Sequence, residues 1–257
     1  MTEGRASIDL NADVGESLGP WPMGEDERLI RLVSSVNIAC GFHAGDPATI
    51  QRTVALAVAA GASVGAHPGY PDLVGFGRRD LAMSAEDLEA AIVYQVGAVA
   101  AFARSAGVEL HHVKAHGALY NRAAEDSTVA ETIARAVRRC SPDLVLIGLA
   151  GSALLDAGRH AGLAVGSEAF PDRAYEPDGS LRSRRLPDSV LTDSALIAER
   201  AVAMARDGVV VAVDGSTLRI AADTLCLHGD TPGAAAHAAA VRAAFEAAGI
   251  GIAPLGR

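Results

Sequence analysis

Four histidines stand where short apolar runs end: His43 in NIACGFHAGD, His67 in GAHPGYPD, His116 in VKAHGALYN and His228 in TLCLHGD. Carboxylates accompany them, Asp13 and Glu16 in DLNADVGE, then Asp46 and Asp230. Imidazoles and carboxylates without paired thiolates suit a divalent ion such as zinc, manganese or nickel in a hydrolytic site. The same groups also suit general acid and base work around a bound amide. No H-E-x-x-H or H-x-H pair fixes two ligands locally, so spacing leaves both chemistries open. If an ion is held, Asp13, His43, His67 and His116 are the expected ligands, because they lie nearest the run ends.

Lys114 is the only lysine among 22 Lys plus Arg, and it sits inside an apolar run rather than on an arginine-rich surface. A strand lysine commonly packs its stem and sends its ammonium to solvent. Here His112 and His116 share its parity, which favours a point charge on a developing oxyanion or a group tuned by burial. No glycine-rich loop precedes it, so the chain carries no Walker A loop. Asp13, Lys114 and His116 are the expected catalytic groups. Arginines in GFGRR (Arg78, Arg79) and DRAY (Arg173) suit an anionic small substrate, with Asn11, Glu16 and His228 as the other expected substrate contacts. Arg182 and Arg185 read as solvated loop residues, His160 and His237 as surface residues, and His111 has the wrong parity for this set. Cys40 and Cys226 read as packed thiols rather than nucleophiles.

The elements that must position these groups are short β-type runs alternating with helical patterns. Strands are expected at 7–11, 36–39, 63–66, 110–115, 144–148, 163–167, 209–213 and 224–227, with helices including 47–60, 84–106 and 232–248. Repeated strand–helix–strand order implies a parallel sheet with right-handed crossovers. By parity, Asp9, Asn11 and Asp13 share one side of the first strand, and so do Ser63 and His67, then His112, Lys114 and His116, then Cys226, His228 and Asp230. Polar groups leaving the C-terminal ends of strands so far apart converge only if the sheet closes, which favours a barrel of seven or eight strands. One domain spanning 1–257 is expected, with Asp13, His43, His67, Lys114, His116 and His228 lining one cavity at the barrel mouth.

A net charge of −9 without a basic block excludes an electrostatic footprint for nucleic acid or an anionic membrane. The three cysteines are widely spaced and suit reduced thiols, and with no apolar segment long enough to span a bilayer, a cytoplasmic protein is expected.

Taken in order, DLNADVGE, NIACGFHAGD, GAHPGYPD, GFGRR, VKAHGALYN, EAFPDRAY and TLCLHGD closely resemble the LamB/YcsF family over nearly the whole chain. The resemblance implies a (β/α)7-type, TIM-like barrel of the glycoside hydrolase/deacetylase superfold. It also implies lactam cleavage of 5-oxo-L-proline to L-glutamate, with ATP as co-substrate, in a complex with 5-oxoprolinase subunits B and C. The competing expectations are a stand-alone metal-dependent amidohydrolase or deacetylase, and a non-catalytic substrate-binding subunit. Two positions depart from the family pattern: Ala115 where proline is common, and Pro187-Asp188 in place of Pro-Gly.

Overall fold

The computed structural model describes residues 7–256. Strands β1 (Ser7–Val14), β2 (Ser35–Ala39), β3 (Ser63–His67), β4 (His112–Lys114), β5 (Val145–Leu149) and β6 (Ala164–Ala169) lie side by side in sequence order and parallel. The next two, β7 (Val209–Val211) and β8 (Thr217–Arg219), pair only with each other, antiparallel. Strand β9 (Thr224–His228) then joins β6 on one side and β1 on the other, closing a seven-stranded barrel. The expected strand at 209–213 therefore forms, but in an outer hairpin. Val211 and Val213 are exposed there, a place that a closed parallel barrel cannot offer. A short β10 (Gly251–Ile252) extends alongside the start of β1.

The helices are α1 (Asp26–Leu29), α2 (Pro47–Ala60), α3 (Ala85–Ser105), α4 (Gly117–Glu125), α5 (Ser127–Cys140), α6 (Ala153–His160), α7 (Ser194–Asp207) and α8 (Ala234–Ala248). Local chemistry sets their ends. The Asp46 carboxylate accepts the backbone N–H groups of Ala48 and Thr49 to cap α2, Pro47 occupies its first turn, and Gly61 closes it at φ 73°. No helix among the described residues is long and apolar enough to cross a membrane.

The strands are two-faced. Outward residues such as Leu10, Ala12, Val36, Ile38, Val64, Val113, Leu146, Leu225 and Leu227 are buried in the hydrophobic core against the helices. Inward residues are mostly polar: Asp9, Asn11, Asp13, Asn37, His112, Lys114, Glu168, Thr224 and Cys226 are buried. Barrel interiors usually fill with branched aliphatic side chains. Here every inward polar group must instead find a partner, because an unsatisfied buried one costs about 1–3 kcal/mol.

Candidate active site

The lumen is a continuous hydrogen-bonded column. At its floor the Asp9 carboxylate accepts from the hydroxyls of Ser34 (2.7 Å), Ser35 (2.6 Å) and Thr224 (2.6 Å). Burial raises its pKa despite those donors. Above it the Asn11 amide donates to Glu168 (3.0 Å) and Thr224 (2.6 Å). The Asn37 amide donates to Asn11 (2.7 Å) and to Asp13 Oδ1 (2.9 Å), and His112 Nε2 donates to Asn37 Oδ1 (2.9 Å). The His112 ring fits only because its neighbour on β3 is Gly65, where a Cβ would collide with the imidazole.

Lys114 crowns this column. Its Nζ donates to Asp13 Oδ1 (3.0 Å) and to Cys226 Sγ (2.9 Å) and forms an ion pair with Glu168 Oε1 (2.9 Å). Burial opposes the charged form, but the negative groups around it, Asp13 foremost, override burial and hold Lys114 well above the usual lysine range. Burial likewise pushes Asp13 up, and His67 and Lys114 outweigh it, so its carboxyl stays well below the usual range. Lys114 is therefore a fixed positive charge. Two carboxylates hold it by charge, and its contact with the thiol is to a weak acceptor that a substrate oxygen can displace. Tyr120 donates to the other oxygen of Glu168 (2.7 Å), and Phe170 places its ring centroid 5.2 Å from Nζ.

Beside Lys114 lies an imidazole pair. His67 Nδ1 is 2.8 Å from the Lys114 carbonyl and His116 Nε2 is 2.8 Å from the Phe76 carbonyl, so both of these nitrogens carry protons. The remaining nitrogens, His67 Nε2 and His116 Nδ1, face each other at 3.0 Å. Two lone pairs at that distance require a positive species between or beside them, either a proton or a cation. Asp13 Oδ2 is 3.4 Å from His67 Nε2, and Glu16 Oε1 is 4.0 Å from His116 Nδ1. Burial first, then His43 and His67, push the His116 pKa well down, while burial, Asp13 and Asp230 push Glu16 well up. His43 stacks flat on His116 with centroids 3.7 Å apart, and neither of its ring nitrogens has a partner.

The column opens into a cavity of about 690 Å³ at the C-terminal end of the barrel, lined by Asp13, His67, Lys114, His116 and His228 together with Arg78 and Arg173. His43 is buried behind His116 rather than lining this space. Nor does it join the others as a metal donor: among the described residues, converging donor atoms form two triads, Glu16–His67–His116 and Asp13–Cys226–His228.

The expected substrate contacts divide as well. Arg78 lines the cavity and pairs with Asp230 at 2.5 Å, Arg173 lines it from the segment after β6, and His228 lines it with its Nδ1 2.8 Å from Asp172. Arg79 turns away and pairs with the buried Asp72, because Gly75 leaves room for that bridge. Asn11 is sealed in the lumen, and Glu16 is buried beside His116. His237, expected at the surface, is buried and hydrogen-bonded to the Ser194 hydroxyl at 2.7 Å, where α8 packs on α7. Burial pushes the Cys40 thiol up to about 12, against nucleophilic use.

Sequence reasoning missed Glu168, Tyr120, Asn37 and Phe170. Glu168 had a legible signal: a glutamate continuing the 163–167 strand on its inward parity, one residue past the expected end. Tyr120 had none, because a helical tyrosine reads as packing.

The LamB/YcsF family profile matches residues 8–257. The A-type subunit of 5-oxoprolinase from Chloroflexus aggregans is 57% identical, covering 95% of this chain and 97% of that protein. An A-type 5-oxoprolinase subunit from Agrobacterium fabrum is 54% identical, covering 96% and 97% respectively. The crystal structure of the lactam utilization protein from Thermus thermophilus superposes with a TM-score of 0.91 at 49% identity, over 96% of this chain and 99% of that one.

Proposed function

The chain belongs to the LamB/YcsF family, and from that membership and the lumen chemistry we propose that it is the ring-opening subunit of an ATP-dependent 5-oxoprolinase. In this reading it acts with subunits B and C to convert 5-oxo-L-proline to L-glutamate. The observation that carries the reading is Lys114, a permanently charged ammonium at the cavity floor with a displaceable thiol contact, beside a pair of imidazoles. That is the equipment for adding water to a lactam carbonyl whose activation is coupled to ATP.

The substrate carboxylate pairs with Arg78, and the lactam oxygen takes the place of Cys226 Sγ on Lys114 Nζ. As water adds to the carbonyl carbon, the oxygen becomes anionic and its contact with Lys114 strengthens, which is differential stabilisation of the transition state. The facing lone pairs of His67 Nε2 and His116 Nδ1 receive the proton lost by the water, which then is the positive species shared between them. When the ring C–N bond breaks, the nitrogen takes a proton back and leaves as the α-amino group, giving glutamate. Glu16, its pKa raised by burial, lies 4.0 Å from His116 Nδ1, beside the pair to replenish that proton. Asp13 and Glu168 hold Lys114 in place and keep it charged. Opening a strain-free five-membered lactam is uphill near neutral pH, which supports coupling to ATP, and the absence of a Walker A loop supports handling of the nucleotide with the partner subunits.

A divalent cation also fits this site. The facing lone pairs of His67 and His116, with Asp13 and Glu16 alongside, form a donor set suited to zinc, manganese or nickel. When bound, such an ion supplies Lewis-acid polarisation of a carbonyl and lowers the pKa of water. His43 stays behind the set as a ring that fixes the plane of His116.

The test is reconstitution. Glutamate formation and 5-oxoproline-dependent ADP release are expected from the chain combined with subunits B and C, and neither from the chain alone. Full activity of B and C without this chain would sink the proposal. Chelator-sensitive amide hydrolysis by the chain alone would replace it with the stand-alone amidohydrolase.

A further inference from the structure

Once Arg78 is assigned to the lactam carboxylate, most of the cavity is left over. At about 690 Å³ it is large enough for a drug-sized ligand, far more than a five-membered lactam acid needs. The wall that carries Arg173 and Arg184 is built by the segment after β6, which two isolated bridges, Arg173 to Val190 and Tyr175 to Leu181, fold into an arm.

The arginines on this wall differ in how far they are compensated. Arg182 is paired with Glu176 and donates to the Pro187 carbonyl, and Arg122 is paired with Asp80 and Asp126. Arg173 is not. Its side chain is buried, Nε donates to the Ser189 carbonyl (3.0 Å), Nη2 donates to the Arg182 carbonyl (2.6 Å), and Nη1 makes no hydrogen bond. Its neighbour Asp172 gives Oδ2 to His228. Among the described residues, no carboxylate lies within ion-pair distance of Arg173, and Arg184 has neither an ion pair nor a side-chain hydrogen bond. Burial, and then the like charge of Arg184, push Arg173 down to about 10.

Two guanidiniums that line one cavity, make no ion pair and share a single nearby carboxylate, Asp172, which also serves His228, call for a further anion of more than one charge. One of them is also locked in orientation by its backbone contacts. A carboxylate carries a single charge and is already provided for at Arg78. We propose that Arg173 and Arg184 form a phosphate subsite, separate from the Lys114 centre, that takes inorganic phosphate or the phosphoryl group of a phosphorylated ligand through charge-assisted, bidentate contacts. This rests on the lactam reading only in giving Arg78 to the carboxylate.

The full-length chain is titrated calorimetrically with inorganic phosphate, with phenyl phosphate and with 5-oxo-L-proline, for the parent and for Arg184→Ala and Arg184→Lys. Arg184 is on the rim, so its variants are expected to melt with the parent. Phosphate binding should weaken roughly ten- to a hundredfold in Arg184→Ala and partly recover in Arg184→Lys, with 5-oxo-L-proline binding changed less than about twofold. Binding of phenyl phosphate as well as inorganic phosphate identifies a subsite for phosphate carried on another molecule, and binding of inorganic phosphate alone identifies a product site. No phosphate binding at millimolar concentration, or equal binding by Arg184→Ala, overturns the subsite. Arg184-dependent phosphate binding without any binding of 5-oxo-L-proline leaves the subsite standing and removes the lactam reading.

Discussion

Replacing Lys114 by alanine removes the ammonium that holds Asp13 Oδ1 at 3.0 Å and Glu168 Oε1 at 2.9 Å, leaving two carboxylates facing each other in a sealed lumen. Taking one partner from a buried ion pair costs about 3–5 kcal/mol, because the surviving charge stays desolvated. For a chain of this size each kcal/mol shifts the melting point by about 2–4 °C, so Lys114→Ala should melt roughly 6–20 °C below the parent. Adding Glu168→Gln removes one of the stranded charges and should recover about 1–3 kcal/mol, a coupling expected of groups in direct contact. Lys114→Arg keeps the charge and much of the stability, but its planar fork cannot occupy a point bounded by three contacts near 3 Å. Turnover of the reconstituted complex should therefore fall roughly 100- to 1000-fold in Lys114→Arg, the loss expected for one oxyanion donor. The assays are thermal melts by circular dichroism and glutamate formation, with pull-down confirming that partner subunits still bind. A Lys114→Ala melt within about 2 °C of the parent would refute the buried-charge argument, given the sensitivity just used. Near-normal turnover in Lys114→Arg would reduce Lys114 to a generic positive charge, and near-normal turnover in Lys114→Ala would remove it from the chemistry.

The Asp46 cap should be pH-dependent with a definite sign: its carboxyl, lowered to about 2 by the Gly19 and Thr49 N–H groups, adds stability above its unfolded pKa near 4 that is lost as pH falls through about 2. Asp46→Ala should cost about 1 kcal/mol in urea denaturation near neutral pH, and the difference should close on acidification. Gly65→Ala should destabilise by at least about 1–3 kcal/mol, since the new methyl group meets the His112 ring and the Asn37 bond must break; an unchanged melting point would show that the lumen is plastic. Asp188, at φ 58° where the family pattern has glycine, should accept glycine with no loss, whereas Asp188→Val should lose about 1–2 kcal/mol in the same melts. Cys40 should resist alkylation by iodoacetamide until the chain unfolds, and Cys40→Ala should retain turnover.

Local patterns along the chain already determine the strand–helix alternation, the cap of α2 at Asp46 and Pro47, and the inward parity of Asp13, His67, Lys114 and Cys226, because each depends on the two-residue period of a strand or on hydrogen bonds within a few residues. A solitary lysine among inward-facing histidines was enough to single out the centre of the lumen. Register and closure were not legible. Val209–Val211 has the same β-type composition as the barrel strands, and only the pairing of β6 directly with β9 excludes it from the wall. The same closure brings Glu168 to Lys114, while the local fold of the loop around Gly75 sends Arg79 to Asp72 rather than into the cavity. The pairing of β3 with β4 sets His67 and His116, 49 residues apart, with their bare nitrogens 3.0 Å from each other. Parity states which face a side chain takes, but distances between groups from different strands depend on barrel stagger and on how loops such as GFGRR fold back, and these are properties of the assembled sheet. The sequence thus determined the kind of chemistry the lumen holds, and the tertiary structure decided which groups touch.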